Sequence, residues 1–474
     1  MTRNLYSKYN RVHPVSMDAA QKITHAIDRL SFGARPGDRA QVEKNGAAKY
    51  IQTQLESAGS TEPAKLKKRL KELPTLSLSP VKLFEPMLLP KSPSEAARKK
   101  SQEWKRQVFQ EALQAKWLRA LESPHQLQEV MTDFWFNHFN VDAEKHLTMV
   151  WVGDYEKAIR THALGNFRDL LSATAKHPAM LFYLDNWRNT DPNSEQAEGP
   201  FRGLNENYAR ELMELHTLGI DGGYTQADVE TLARTLTGWS IVHRTQPSPD
   251  GSGFVFAANR HDPKPKTLLD QSITAGGIKD GEQALDLLAN HPATARHISY
   301  KLAQFFVADT PPEPLVSKLS ERFLSTKGNI QAVLQSLFDS SEFWETAHYQ
   351  RKFRTPYQYL LAMSRAMGIS APTEETLKRL NGSLWHMGMP LYKCRSPKGY
   401  AQVESAWISP DVMMRRVSLA IATTQLQKAD QPDLSVLVET LGDQIPPEGR
   451  ALINQAPENI RAALILGSPN MMYR

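Results

Sequence analysis

The 474-residue chain could hold two or three average domains or one large helical unit, and its 41% hydrophobic and 23% charged residues exclude wholesale disorder. A net charge of +6 permits anionic partners without forming a nucleic-acid signature, and the single Cys394 excludes an internal disulfide framework and any cysteine-based zinc site. No apolar run reaches the roughly 18–20 residues that span a bilayer, and the start MTRNLYSKYNRVHPV lacks the apolar core of a signal peptide, as a mature exported chain also would.

In chain order, residues 1–17 read as an N-terminal extension, 18–425 as one large helical domain with a sub-boundary near 345–352, and 426–474 as a C-terminal helical segment on the same domain. Leu73 to Pro93 is irregular and proline-rich. The stretch KSPSEAARKKSQEWKR that follows is basic and reads as a solvated helix face. In LQEVMTDFWFNHF, Leu127, Val130, Met131, Phe134, Trp135 and His138 recur at helical spacing and make one buried stripe. That placement favours a core histidine at position 138, with Asn137 beside it less easily explained by packing. His177-Pro178-Ala179 starts a helix, since proline is tolerated in a first turn, and Asp185 and Asn186 close that helix before a long loop to Gly203.

The stretch NENYARELMELHTLGIDGGY, Asn205 to Tyr224, carries the densest polar chemistry. At about 100° per residue, Asn207, Arg210, Glu211 and Glu214 share one face with Glu206 at its edge, while Tyr208, Leu212 and Leu215 form the opposite apolar face. His216 projects about 140° from Glu211 and about 160° from Glu214 on an unbroken helix, so the three cannot hold one ion together. Glycines at 219, 222 and 223 end this helix, and Thr225 with Asp228 caps the next.

The loop Arg244 to Lys266 contains the best strand signal, GFVFA at Gly253 to Ala257, read as a small β-hairpin insertion near 251–262. His261-Asp262 follows it, beside Lys264 and Lys266, as a plausible rim for a polar or anionic ligand. His291-Pro292-Ala293 repeats the earlier helix start, and ISYKLAQFF continues with Ile298, Leu302, Phe305 and Phe306 on one stripe. The fold class is therefore mainly α, a single large multi-helical domain with long loops. Walker-type, Rossmann, nucleophile-elbow and HExxH patterns are absent, which leaves carboxylate chemistry, acting directly or through a metal.

The order DRLSFGARPGD, DFWFNHFNV, THALGNFRDLL with KHPAMLFYLDN, GLNENYARELMELHTLGIDGGYTQADVETLARTLTGW, RHDPKPKTLL, HPATARHISYKLAQFFV, KFRTPYQYL and MGMPLYKCRSPKGYAQVESAWISP closely resembles the bacterial DUF1800 family, from about Asp18 to near Ala422. The resemblance implies a mostly helical fold, an export signal in many members, and frequent neighbourhood with DUF1501 proteins that resemble sulfatases and phosphatases. Its recurrent positions matched here are Asn137, His138, His162, Asp185, Asn186, Asn205, Glu206, Asn207, Arg210, Glu211, Glu214, His261, Asp262 and Lys301, with no established catalytic role attached. This chain departs from the family at its start, which lacks an export segment, and at Lys393-Cys394-Arg395, where smaller or apolar residues are expected.

The expectation is an exported hydrolase, periplasmic or secreted, acting on a polysaccharide or another cell-envelope polymer, since amides beside carboxylates suit a hydroxyl-rich ligand. Glu211 with Glu214 or Glu206 would serve as acid and base, and Asp185 or Asp262 as the second carboxylate if one helix holds its own pair too close. Asn137, His138, Asn205, Asn207, Arg210, His261 and Asp262 are the expected substrate contacts. No cofactor is predicted; the alternative is a divalent metal on Glu211, Glu214, His138 and His162, or His261. A third reading is a non-enzymatic partner of a DUF1501 sulfatase-like protein. No nucleic acid and no membrane span are expected.

Overall fold

The computed structural model describes residues 15–57, 59–243, 247–274, 276–370, 372–426 and 434–474. Most of the N-terminal extension and the first residues of the Arg244 to Lys266 loop lie outside them. The described chain is mainly helical with two small two-stranded antiparallel sheets. No described helix is long and apolar enough to cross a membrane.

Local chemistry sets the helix starts. His177 and His291 each accept, through Nδ1, the backbone N–H two residues on at 3.1 Å, with Pro178 and Pro292 just inside the helix. Asp18 with Gln21 and Thr225 with Asp228 form reciprocal capping boxes.

The helices Gln126–His138 and Thr148–His162 pack against each other at the centre of the molecule, flanked by the long helix Glu95–Glu122. Leu127, Val130, Met131, Phe134, Trp135 and His138 are all buried, as their spacing predicts. Phe136 is buried as well, against Tyr155 and Tyr392, so this helix is covered on more than one side. One contiguous apolar core runs from Ala26 to Met472 and includes Leu437, Leu441, Ile465 and Leu466 of the C-terminal segment. Next to the 345–352 stretch, Phe353 pairs as an isolated β-bridge with Tyr473, and Lys352 Nζ donates to Gln402 O at 2.9 Å.

The strand read in GFVFA is β2 (Phe254–Phe256), and its partner is β1 (Trp239–Ile241), upstream of the expected insertion, in the register Trp239 to Phe256. A second hairpin, β3 (Lys266–Leu268) with β4 (Gln271–Ile273), follows. Its two-residue turn places Leu269 and Asp270 at φ of 50° and 60°, the left-handed pair that lets the strands keep their twist.

Candidate functional site

The polar helix opens at Asn207–Glu211 and then widens into a π-helical turn, Leu212–His216. Thr217 Oγ1 closes that turn by donating to Leu212 O at 2.6 Å. The wider turn shifts the buried series by one residue: Tyr208, Ala209, Leu212, Met213 and His216 are buried, while Leu215, read as apolar face, is only half-buried. On the other side Glu206, Arg210, Glu211 and Glu214 are half-buried and Asn207 is exposed.

Within this edge the residues divide. Arg210 donates to Glu206 at 3.1 Å and to Gln226 at 2.8 Å, and Gln226 donates to Glu206 at 2.7 Å, a closed surface triad. Asn205 Oδ1 accepts from Asn207 N at 3.1 Å, and Asn207 Nδ2 reaches Leu184 O at 3.1 Å. Glu211 stands apart from the triad. Burial, then the neighbouring Glu214 charge, push its carboxyl above the ordinary range, with Arg210 partly opposing them. Glu214 in turn bears on the phenol of Tyr224, which burial and then Glu214 push up.

Asn207 ties this edge to the corner that ends helix Pro178–Tyr183. There Asp185 adopts φ 60°, and Lys145 Nζ clamps it by donating to Asp185 Oδ2 at 2.8 Å and to Tyr183 O at 2.6 Å. The Tyr183 phenol donates to Arg395 O at 2.7 Å and is pushed up by burial, then by Asp142, Cys394 and Glu211, which puts Glu211 within its field. The Cys394 to Tyr400 segment is held by two amides. Asn140 Nδ2 donates to Cys394 O and Ser396 O, and Asn137 exchanges hydrogen bonds with the Tyr400 backbone. Gly399 packs so tightly here that a Cβ would fall 2.2 Å from Asn137 O. Asn137, read as a ligand contact, thus has both ends of its amide engaged inside the fold.

His138 and His216 belong to a different, deeper cluster with His297. The His138 ring lies 6.2 Å from each of the other two, and its Nε2 is 3.1 Å from His216 O. Burial, then the Lys301 charge, hold all three well below the usual imidazole range, His216 at about 3 and His297 at about 4. Lys301 is itself lowered to about 8 by burial and then Lys398. His297 was not singled out from the sequence, although it lies four residues before Lys301 on one helix face, a spacing that would have paired them.

His261 and Asp262 form a third arrangement. His261 Nδ1 lies 2.9 Å from Thr237 O and its Nε2 3.2 Å from Asp280, which also pairs with Lys266 at 3.2 Å. Asp262 is paired with Arg234 at 2.7 Å. His162 lies half-buried at the end of its own helix. Among the described residues no three His, Cys, Asp or Glu side chains gather as a metal-holding group. The set Glu211, Glu214, His138 and His162 is therefore not assembled around one point: His138 is buried with its Nε2 against His216 O, on the far side of the widened turn from Glu211 and Glu214, and His162 ends a separate helix.

A family model described as "Protein of unknown function (DUF1800)" matches residues 25–473. No curated protein and no solved structure matches the chain.

Proposed function

The chain belongs to the DUF1800 family, and from that premise we propose that it is a hydrolase of a polysaccharide or another cell-envelope polymer, with Glu211 and Glu214 as its working carboxylates. The observation that carries this reading is Glu211 itself: a half-buried carboxyl, pushed upward by burial and by an adjacent carboxylate. A carboxyl that holds its proton to higher pH than an ordinary one is better suited to protonate a glycosidic oxygen as the bond to the leaving group breaks, while a second carboxylate activates water or attacks the sugar. Glu206 is less suited, since Arg210 and Gln226 already engage it. Asp185 is held by Lys145 and Asp262 by Arg234, so both serve better as fixed charges than as mobile acids.

Asn205 and Asn207 each commit one amide atom to the fold, Oδ1 and Nδ2 respectively, and offer the other to sugar hydroxyls. The proposed setting is the periplasm or the cell exterior, which rests on the family resemblance alone. Glu211→Gln and Glu214→Gln should each lower release of reducing ends from cell-envelope polysaccharide by roughly 10²- to 10⁴-fold, with the melting temperature retained. Undiminished release by both variants would overturn the reading.

A further inference from the structure

The corner that carries Tyr183 and Asp185 also has an aromatic side. Phe182 and Trp187 stack at 5.8 Å and 14°, Phe201 meets Trp187 edge-on at 5.9 Å, and with Phe84 they line a cavity of about 510 Å³. Such a volume lies within the range of small-molecule sites, and three features of its wall point to what it takes.

The first is charge. Arg260 forms part of the wall, is only 4% exposed, and sits 4.6 Å from the Phe201 ring centroid. Its Nη1 donates to Trp187 O at 2.9 Å, and among the described residues no carboxylate pairs with it. Burial alone lowers it, to about 10, so it remains a cation at neutral pH, without a carboxylate among the described residues to neutralise it. The second is unmet donors. Arg260 Nη2 and Trp187 Nε1 are both buried without a hydrogen-bond partner in the protein, an arrangement that folded chains rarely leave in place. The third is mixed polarity: Gln196, Ser240, His243 and Asn259 interrupt a lining of aromatic and aliphatic side chains. An apolar ligand would leave the cation bare, and an inorganic anion would leave the aromatic wall bare.

We propose that this cavity binds an acidic sugar unit of the polymer, its C–H face against the aromatic wall and its carboxylate or sulfate against the Arg260 guanidinium. The inference rests on the polysaccharide reading above and names the polymer's chemistry as acidic. An anionic acceptor compensates the buried guanidinium charge as a neutral hydroxyl cannot, and a planar carboxylate also suits the guanidinium fork.

The test is calorimetric titration of the full chain with three oligosaccharides of equal length: an oligogalacturonate, a sulfated oligosaccharide and a neutral glucose oligomer. At least one acidic probe should bind about tenfold or more tightly than the neutral one, and Arg260→Gln should erase that preference. Phe201→Ala, at a half-buried position ending the short 3-10 turn Gly199–Phe201 that should fold even if Arg260→Gln does not, should weaken acidic and neutral probes alike. Equal affinity for all three probes, no binding of either acidic probe, or an unchanged preference in a folded Arg260→Gln overturns the inference. Glu211→Gln should bind the acidic probe normally. If that variant still hydrolyses polymer the catalytic assignment falls while the binding site stands, and if acidic probes fail to bind a Glu211-dependent enzyme only the binding site falls.

Discussion

Asn137 and Tyr400 exchange two hydrogen bonds across 263 positions of sequence, Asn137 Nδ2 donating to Tyr400 O at 2.8 Å and Tyr400 N donating to Asn137 Oδ1 at 2.7 Å. A side-chain amide here does what a neighbouring strand would do, satisfying both backbone groups of a residue outside any sheet. Asn137→Ala leaves both groups without protein partners and should cost about 1–3 kcal/mol for each that stays buried. The midpoint of urea unfolding measures this, and limited proteolysis near Cys394 to Tyr400 should quicken in parallel. Asn137→Asp keeps an acceptor for Tyr400 N but sets a carboxylate against Tyr400 O, so it should recover at most part of the loss.

Glu211 gives a second expectation, with a definite sign. Its folded carboxyl is raised above the ordinary carboxylate range while the unfolded one is not, so the unfolded chain releases this proton first as pH rises. Folded stability from this group therefore declines from about pH 4.5 upward through its raised value. Glu211→Gln should leave the protein as stable at pH 7 or slightly more so. The same asymmetry should appear in turnover as an alkaline limb that moves to lower pH in Glu214→Gln, where the like charge is gone, and to higher pH in Arg210→Gln. A pH–rate profile that ignores both substitutions would remove Glu211 from the acid role.

The histidine cluster titrates in the opposite sense. His138, His216 and His297 are depressed below 6.5 in the folded chain, so the unfolded chain takes up protons first as pH falls. Their contribution is intact above pH 6.5 and should erode below it, down toward about 4 for His297 and about 3 for His216. Unfolding free energy measured from pH 7 to 4.5 should fall, and His297→Gln should reduce the slope by up to about 1.4 kcal/mol per pH unit, the linkage of one proton. An unchanged slope would mean that these rings titrate normally.

What the sequence revealed follows from how local each cause is. The core stripe of Gln126–His138 and the His-Pro helix starts are set by residues within one or two turns, so spacing alone exposes them. The π turn at Leu212–His216 breaks the assumption of 3.6 residues per turn, and it exchanges Leu215 for His216 on the buried side. The separation of His216 from Glu211 and Glu214 survives that change, because the widened turn buries His216 further. Long-range pairing was illegible. His138, His216 and His297 come from three separate segments, β1 lies upstream of the hairpin read at its partner, and Asp280, which organises His261, lies 19 positions further on in the helix Ile278–Ala289. Arg260 is illegible for a related reason: what marks it is that no carboxylate among the described residues pairs with it.

Asp280 supplies the last expectation, which decides whether His261 and Asp262 frame a ligand or a fold. Asp280 is fully buried and accepts from Gly276 N at 2.8 Å, with Lys266 Nζ and His261 Nε2 each at 3.2 Å. Removing one partner of a buried pair strands the other charge, so Asp280→Ala should cost about 3–5 kcal/mol. The Arg234–Asp262 pair is open on the arginine side, and Arg234→Gln should cost well under half as much. Chemical denaturation of the two variants measures the difference. Where Arg234→Gln and His261→Gln remain folded, both should keep turnover on cell-envelope polysaccharide, since their partners all belong to the clamp that joins β3 to helix Ile278–Ala289. A folded His261→Gln without turnover would move this cluster from the scaffold into the site.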